Sequence, residues 1–227
     1  MTRFFQGIVV ILLAMFYHVL PAFSAQPILG KQELLRLVSD VAEDVDAADL
    51  LDVTYADVTG DGVPELFVGV ATDQMHRSHF LIYIYRNGQY KNVLHDAWRS
   101  SYFGMELVRV LFPGQTRIST LTVVTYSPEF GTGWQPKWKD VLWWNGKEFR
   151  TVWSGPTDVI DVATRDGKMV NSLVRFEHEK GTFFMELIAV QRTITADGSL
   201  GKVKLTTVRR YKWDDRLSEF VDIKPSP

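Results

Sequence analysis

Between Asp57 and Leu66 the chain reads DVTGDGVPEL, which places three carboxylates, two glycines and a proline within ten residues. Counted from Asp57, oxygen-bearing side chains fall at alternate positions, Asp57, Thr59, Asp61 and Glu65, and the carbonyl of Val63 fills the remaining step. A looped backbone with this spacing turns hard oxygen donors toward one cation, and Gly62 stands where the sharp turn needs a residue without Cβ. Calcium suits such donors best, whereas magnesium asks for a smaller octahedral cage and keeps its waters. The competing reading is a tight turn whose carboxylates cap backbone amides. An EF-hand fails on two counts. The twelfth loop position is Val68 instead of a bidentate Glu, and the LFVGVA that follows has the texture of a strand.

The longer stretch DVTGDGVPELFVG resembles the calcium loop of FG-GAP/VCBS repeats, Asp-x-(Asp/Asn)-x-Asp-Gly-x-x-(Asp/Glu)-Leu, the units of integrin-like β-propellers. The resemblance implies side-chain ligands at Asp57, Thr59, Asp61 and Glu65, a carbonyl ligand at Val63, and a structural Ca2+ in a protein that serves interaction. Thr59 departs from the usual Asp or Asn. The hairpins ending in NGQY and NGKEF also look like the tails of such repeats in exported bacterial proteins. One such loop is present, because DVATRDGKMV (161–170) and TADGSL (195–200) carry Asp-Gly turns without alternating carboxylates. A propeller needs about four to eight blades, and three hairpins do not fill one. The expected architecture is therefore propeller-blade-like or, preferably, a compact β-domain.

Other chemistry is sparse. The chain has no Gly-x-Ser-x-Gly elbow and no His-Glu-x-x-His pair, so a non-enzymatic role is expected. His76 and His79, three apart, read as a polar loop or half a zinc site. His95-Asp96 and Glu177-His178-Glu179 read as surface charge or as halves of an acid/base site. A hydrolase with two strand-borne carboxylates far apart in sequence stays open. Trp134, Trp138, Trp143, Trp144 and Trp153 crowd into twenty residues. Indole faces there either fill the core or form a platform for sugar rings, which makes a carbohydrate-binding module using segment 134–153 the alternative function. Trp143 and Trp144 are adjacent and must face opposite sides of a strand. Trp134, in a Gly/Pro-rich loop, and Trp138 are the candidate binding residues.

The elements that must position these groups are mostly strands. Residues 31–51 carry apolar side chains at three- and four-residue spacing with acids opposite, which predicts an amphipathic helix. After it come β-branched and aromatic runs bounded by turn residues, at 65–71, 79–86, 119–127, 139–144, 182–195 and 202–213. Asn87-Gly88 and Asn145-Gly146 are two-residue hairpin chemistry, and Asp214-Asp215 marks a third turn. The expected fold is mainly β and antiparallel, hairpin-rich, with one N-terminal helix.

Arg3 precedes an apolar run from Gly7 to Leu20, followed by PAFSAQP. Residues 1–25 thus read as a cleaved signal peptide, with an uncleaved membrane anchor as the alternative for a run short of the usual span, and residues 26–227 as one β-rich domain in a periplasmic or secreted protein without a membrane span in its mature chain. The chain has no cysteine, so its core or a bound ion must supply rigidity. A formal net charge of -2 offers no footprint for nucleic acid, which leaves an unidentified protein or glycan as the partner.

Overall fold

The structure is a computed structural model, and it describes residues 26–42, 45, 49–72, 77–98, 101–112, 115–127, 134–161, 167–195 and 198–223. The predicted leader, residues 1–25, lies outside the described residues. Helix α1 (Lys31–Ser39) precedes twelve strands: β1 (Leu50–Ala56), β2 (Glu65–Thr72), β3 (Arg77–Arg86), β4 (Gln89–Trp98), β5 (Tyr102–Val110), β6 (Ser119–Tyr126), β7 (Trp134–Trp144), β8 (Phe149–Asp161), β9 (Lys168–Glu179), β10 (Thr182–Ile194), β11 (Leu200–Asp214) and β12 (Glu219–Asp222). The protein is mainly β, as its sequence indicates. Strands β1–β4 form one antiparallel meander and β5–β12 a second, so the described strands make two sheets instead of a ring of blades.

The helix is shorter than its apolar period predicts, ending at Ser39, while Leu50 and Leu51 belong to β1. A carboxylate marks the stop. Asp40 stands at the C-cap, where the negative end of the helix dipole disfavours a carboxylate. The last turn tightens there, with the Val41 N–H donating to the Val38 carbonyl at 3.0 Å. At the other end the Glu33 carboxylate accepts the Gly30 N–H at 2.9 Å.

The first sheet is covered on both faces, which accounts for the nearly unbroken apolar runs of β2 and β3. One face carries Leu66, Val68, Val70, Leu81 and Tyr83 against Leu34, Val38 and Ala42 at α1. The other carries Phe67, Phe80 and Ile82 against Tyr102, Val124 and Leu142 of the second sheet. The residue that joins the sheets is Tyr102. Its N–H donates to the Ser78 hydroxyl (2.9 Å), its hydroxyl donates to Asp52 (3.0 Å), and its ring stacks on Phe80 at 6.2 Å and 15°. Gly69 makes room for that ring, since a Cβ there would sit 2.2 Å from the Tyr102 Cε1.

The second sheet folds over on itself. The β8–β9 ladder spans only Val159–Asp161 against Lys168–Val170, after which β9 leaves β8. Strands β5–β8 and β9–β12 thereby become two layers around a core of Phe112, Val141, Trp153, Phe183, Met185 and Trp213. The Trp143 ring lies 5.2 Å from Phe112 and 5.5 Å from Trp213, whereas Trp144 turns to the opposite face, 5.1 Å from Phe149. A bulge after Val141 lets consecutive Val152 and Trp153 both enter the core.

The turns sort by chemistry. Asn87 and Gly88 both take positive φ, 54° and 80°, as a two-residue hairpin requires. Asn145-Gly146 does not: Trp144 pairs with Phe149 across a four-residue loop in which Asn145 Oδ1 accepts the N–H groups of Lys147 and Glu148. Lys180-Gly181 (48° and 76°) is a further two-residue turn, without the Asn-Gly signature.

Replacing Gly69 by Ala drives a methyl group into the Tyr102 ring. It is expected to destabilise the protein by about 1–3 kcal/mol, read as a lower urea midpoint. Gly155→Ala, whose Cβ would meet Trp153 at 2.8 Å, checks whether the cost is peculiar to the sheet junction.

Candidate functional site

The acidic segment is the connection between β1 and β2, closed by the pair Ala56–Glu65. Glu65 lies two residues before Phe67 on the same face of β2, so its side chain enters the layer between the sheets, where it is fully buried. Its Oε2 accepts the N–H groups of Val58 (2.8 Å) and Thr59 (3.1 Å), and its Oε1 accepts the Thr59 hydroxyl (3.1 Å). The exposed Asp57 accepts the Gly60 N–H at one oxygen (2.7 Å) and the Gly62 N–H at the other (3.0 Å). Asp61 accepts the Val63 N–H at 2.8 Å. Gly60 and Gly62 sit at φ 77° and 86°, the left-handed geometry that lets their amides turn inward.

One oxygen from each of Asp57, Asp61 and Glu65 lies within 4.8 Å of the others. Among the described residues no Lys or Arg pairs with any of the three. Burial, with a smaller contribution from Asp61, pushes the Glu65 carboxyl above its ordinary range despite the three donors it accepts. The cluster thus holds unneutralised charge. A carboxylate oxygen that accepts one N–H keeps a lone pair, so the donor set fits a hard divalent cation. In this arrangement the Thr59 hydroxyl is a donor to Glu65, and Val63 meets Asp61 through its N–H.

A cleft of about 260 Å³ adjoins the loop, walled by Asp57–Gly60, by Arg117 and Ile118 after β5, and by Trp143–Gly146 of the β7–β8 turn. The tryptophans beside the loop are therefore Trp143 and Trp144. Trp134 opens β7 opposite Asp161 instead of lying in a loop, because the pairing with β8 continues back to it. Trp138 is half-buried in the same strand, opposite Tyr126 and Pro156. Ten residues of strand, roughly 33 Å at 3.3 Å each, separate Trp134 from Trp144.

The histidine and acid segments resolve differently. His76 lies outside the described residues. His79 Nδ1 and His95 Nε2 are 3.0 Å apart with stacked rings, and burial holds His95 below its ordinary pKa, toward the neutral form that one such hydrogen bond needs. Glu177 and Glu179 pair with Arg175 and Arg210, and His178 meets the Leu111 carbonyl. Asp96, which the sequence marks as half of an acid/base site, has a partner across the sheets that the sequence does not name, Asp140. Asp96 of β4 and Asp140 of β7 are both raised by burial, and Asp140 raises Asp96 further by repulsion. The Asp140 Oδ1 accepts the hydroxyls of Ser154 (2.6 Å) and Tyr126 (3.3 Å). Their sequence separation leaves no local signal.

Comparison of the chain with family models, with curated proteins and with solved structures gives no match. The functional reading therefore rests on the site itself.

A carboxyl raised by folding contributes stability at low pH that is lost as pH climbs through its folded value. Asp96→Asn removes one of the two repelling acids. It is expected to raise the thermal midpoint at pH 7 and to leave it little changed below the ordinary Asp value of 3.8, as followed by circular dichroism across pH.

Proposed function

We propose that this chain is an exported, non-enzymatic β-domain in which the β1–β2 loop binds Ca2+ as a structural staple, and that the rigid domain serves interaction with a protein or envelope component. The observation that carries the reading is the convergence of Asp57, Asp61 and Glu65 within 4.8 Å with no described cationic side chain to neutralise them. Asp57, Asp61 and Glu65 would hold the ion through carboxylates, with Thr59 and the Val63 carbonyl completing the set that the repeat-like spacing implies. The ion supplies positive charge and no reaction step. The chain's own part is to fold the loop around the buried Glu65, which ties it to the layer between the sheets. A bound cation would relieve the repulsion that burial concentrates there, and a cysteine-free domain gains rigidity from it.

Extracellular calcium modules have dissociation constants of about 0.1–1 mM. A tenfold excess over such a constant adds roughly 1.4 kcal/mol, or a rise in Tm of about 3–6 °C for a domain of this size. The test is the melt of the purified protein in calcium, in magnesium and in chelator, beside Asp61→Ala. A calcium-specific rise that vanishes in the variant supports the site, and identical melts in all three solutions overturn it. Protons compete for Glu65, so the rise is expected to be larger at pH 7 than near pH 4.5.

A second reading, carbohydrate binding, is favoured by the cleft that sets Trp143 and Trp144 beside Arg117, Asn145 and the loop. Titration with cello-, malto- and chito-oligosaccharides, followed by indole fluorescence, decides it. Saturable quenching abolished by Arg117→Ala would support a sugar site there, and no change with any of them would remove it.

A further inference from the structure

We infer that the groove between β5 and β9 takes up an extended peptide segment of a partner protein, which adds a strand to an open edge and lays its apolar side chains on the core. This inference rests on the reading of the domain as an interaction module and names where, and by what chemistry, the partner is held. Two strand edges meet a common space here. Among the described residues strand β5 has a ladder partner on one side only, β6. Strand β9 is paired, among the described residues, with β10 along its length but with β8 only at Lys168–Val170. Just past that ladder the Ser172 N–H is taken by the Asp158 carboxylate, which shows that it points to the β8 side of β9. By the two-residue alternation of an antiparallel strand, the backbone groups of Val174, Phe176 and His178 point to the same open side.

Between these edges lies a groove of about 330 Å³. Val108, Val110, Val174, Phe176 and Phe183 give it an apolar floor continuous with the core of the second sheet. His178, meeting the Leu111 carbonyl, ties the two edges together at the end of β5. An open row of backbone donors and acceptors beside an apolar floor is the chemistry of strand addition, in which main-chain hydrogen bonds give affinity and alternate side chains give specificity. A small apolar ligand would leave those backbone groups unused.

Charge sets the register. Glu106 and Arg109, exposed on the rim along β5, have no ionic partner among the described residues, whereas Arg175 on the opposite rim is already paired with Glu177 and Glu186. The fitting segment therefore alternates apolar and polar residues and carries a basic residue to meet Glu106 and an acidic one to meet Arg109. The span from Glu106 to Leu111 accommodates about six residues of strand, roughly 20 Å.

The probe is a short synthetic peptide, capped at both ends, that alternates Val and Thr with one Lys and one Asp at that spacing. Its binding to the full protein is measured by isotope-edited NMR in saturating calcium and in chelator. The expected result is saturable binding with shifts at Val108–Leu111 or Val174–His178. Arg109→Glu should weaken binding about tenfold or more, and a peptide with Lys and Asp exchanged should rescue the double variant Glu106→Arg/Arg109→Glu. Both substitutions are on exposed side chains, and unchanged melts certify the fold. No binding, binding indifferent to the charge reversal, or equal binding of a peptide with proline at alternate positions overturns the inference. These outcomes are separable from the calcium reading, because the ion is tested by the melt alone and the peptide edge does not include the loop.

Discussion

The Tyr102 ring lying on Gly69 is the contact on which the two-sheet arrangement depends. Tyr102 is the first residue of the second sheet, and through one side chain and one amide it reaches Asp52, Gly69, Ser78 and Phe80 on three successive strands of the first. The ring can lie so close only because the facing residue of β2 has no Cβ. Apolar burial drives the layers together without fixing their angle or register, whereas a hydroxyl with one acceptor and an amide with another are directional. With Tyr102 seated, Val124 and Leu142 come down on Phe67, Phe80 and Ile82.

The acidic loop inherits its geometry from that junction. Val58 and Glu65 reach the same buried layer, one from each end of the loop, so the exposed Asp57 and Asp61 are carried on a frame held from beneath. The backbone amides of Gly60, Gly62 and Val63 hold the outer carboxylates in place, and Glu65 is held by amides and a hydroxyl. Acids of like charge are thus kept together by dipoles alone among the described groups, an arrangement with more negative potential than its hydrogen bonds neutralise.

What the sequence disclosed follows from how local each feature is. The loop was legible because its groups lie within nine residues and alternate in the way a single backbone loop can converge. Strands β2, β3, β6 and β10 were legible from β-branched and aromatic runs. β5 was not: YFGMELVRV carries Gly104 at φ 127° and is half-buried along much of its length, so no clean alternation marks it. The start of β1, Leu50 and Leu51, follows the helical apolar period and so carries no strand signal of its own. Trp134 looked like a loop residue beside Gly and Pro, although its strand begins there. The Asp96–Asp140 pair and the β5–β9 groove have no local signature at all, because each is made by elements that meet only after the sheets have folded and packed.

The strand order also bears on how the chain finds this state. Every described strand pairs only with its neighbours in sequence, so the ladders close short loops and can zip one hairpin after another, a topology of low contact order for so much sheet. The exception is the seam between the sheets. As the chain is made from its N-terminus, α1 and β1–β4 can assemble first, but Phe67, Phe80 and Ile82 stay uncovered until β5–β7 arrive. That interval, with an aromatic face open and no disulfide to restrain it, is when the protein is most prone to self-association. Tyr102, only four residues beyond the end of β4, is the first residue that can begin to cover that face, and Val124 and Leu142 must follow to close it.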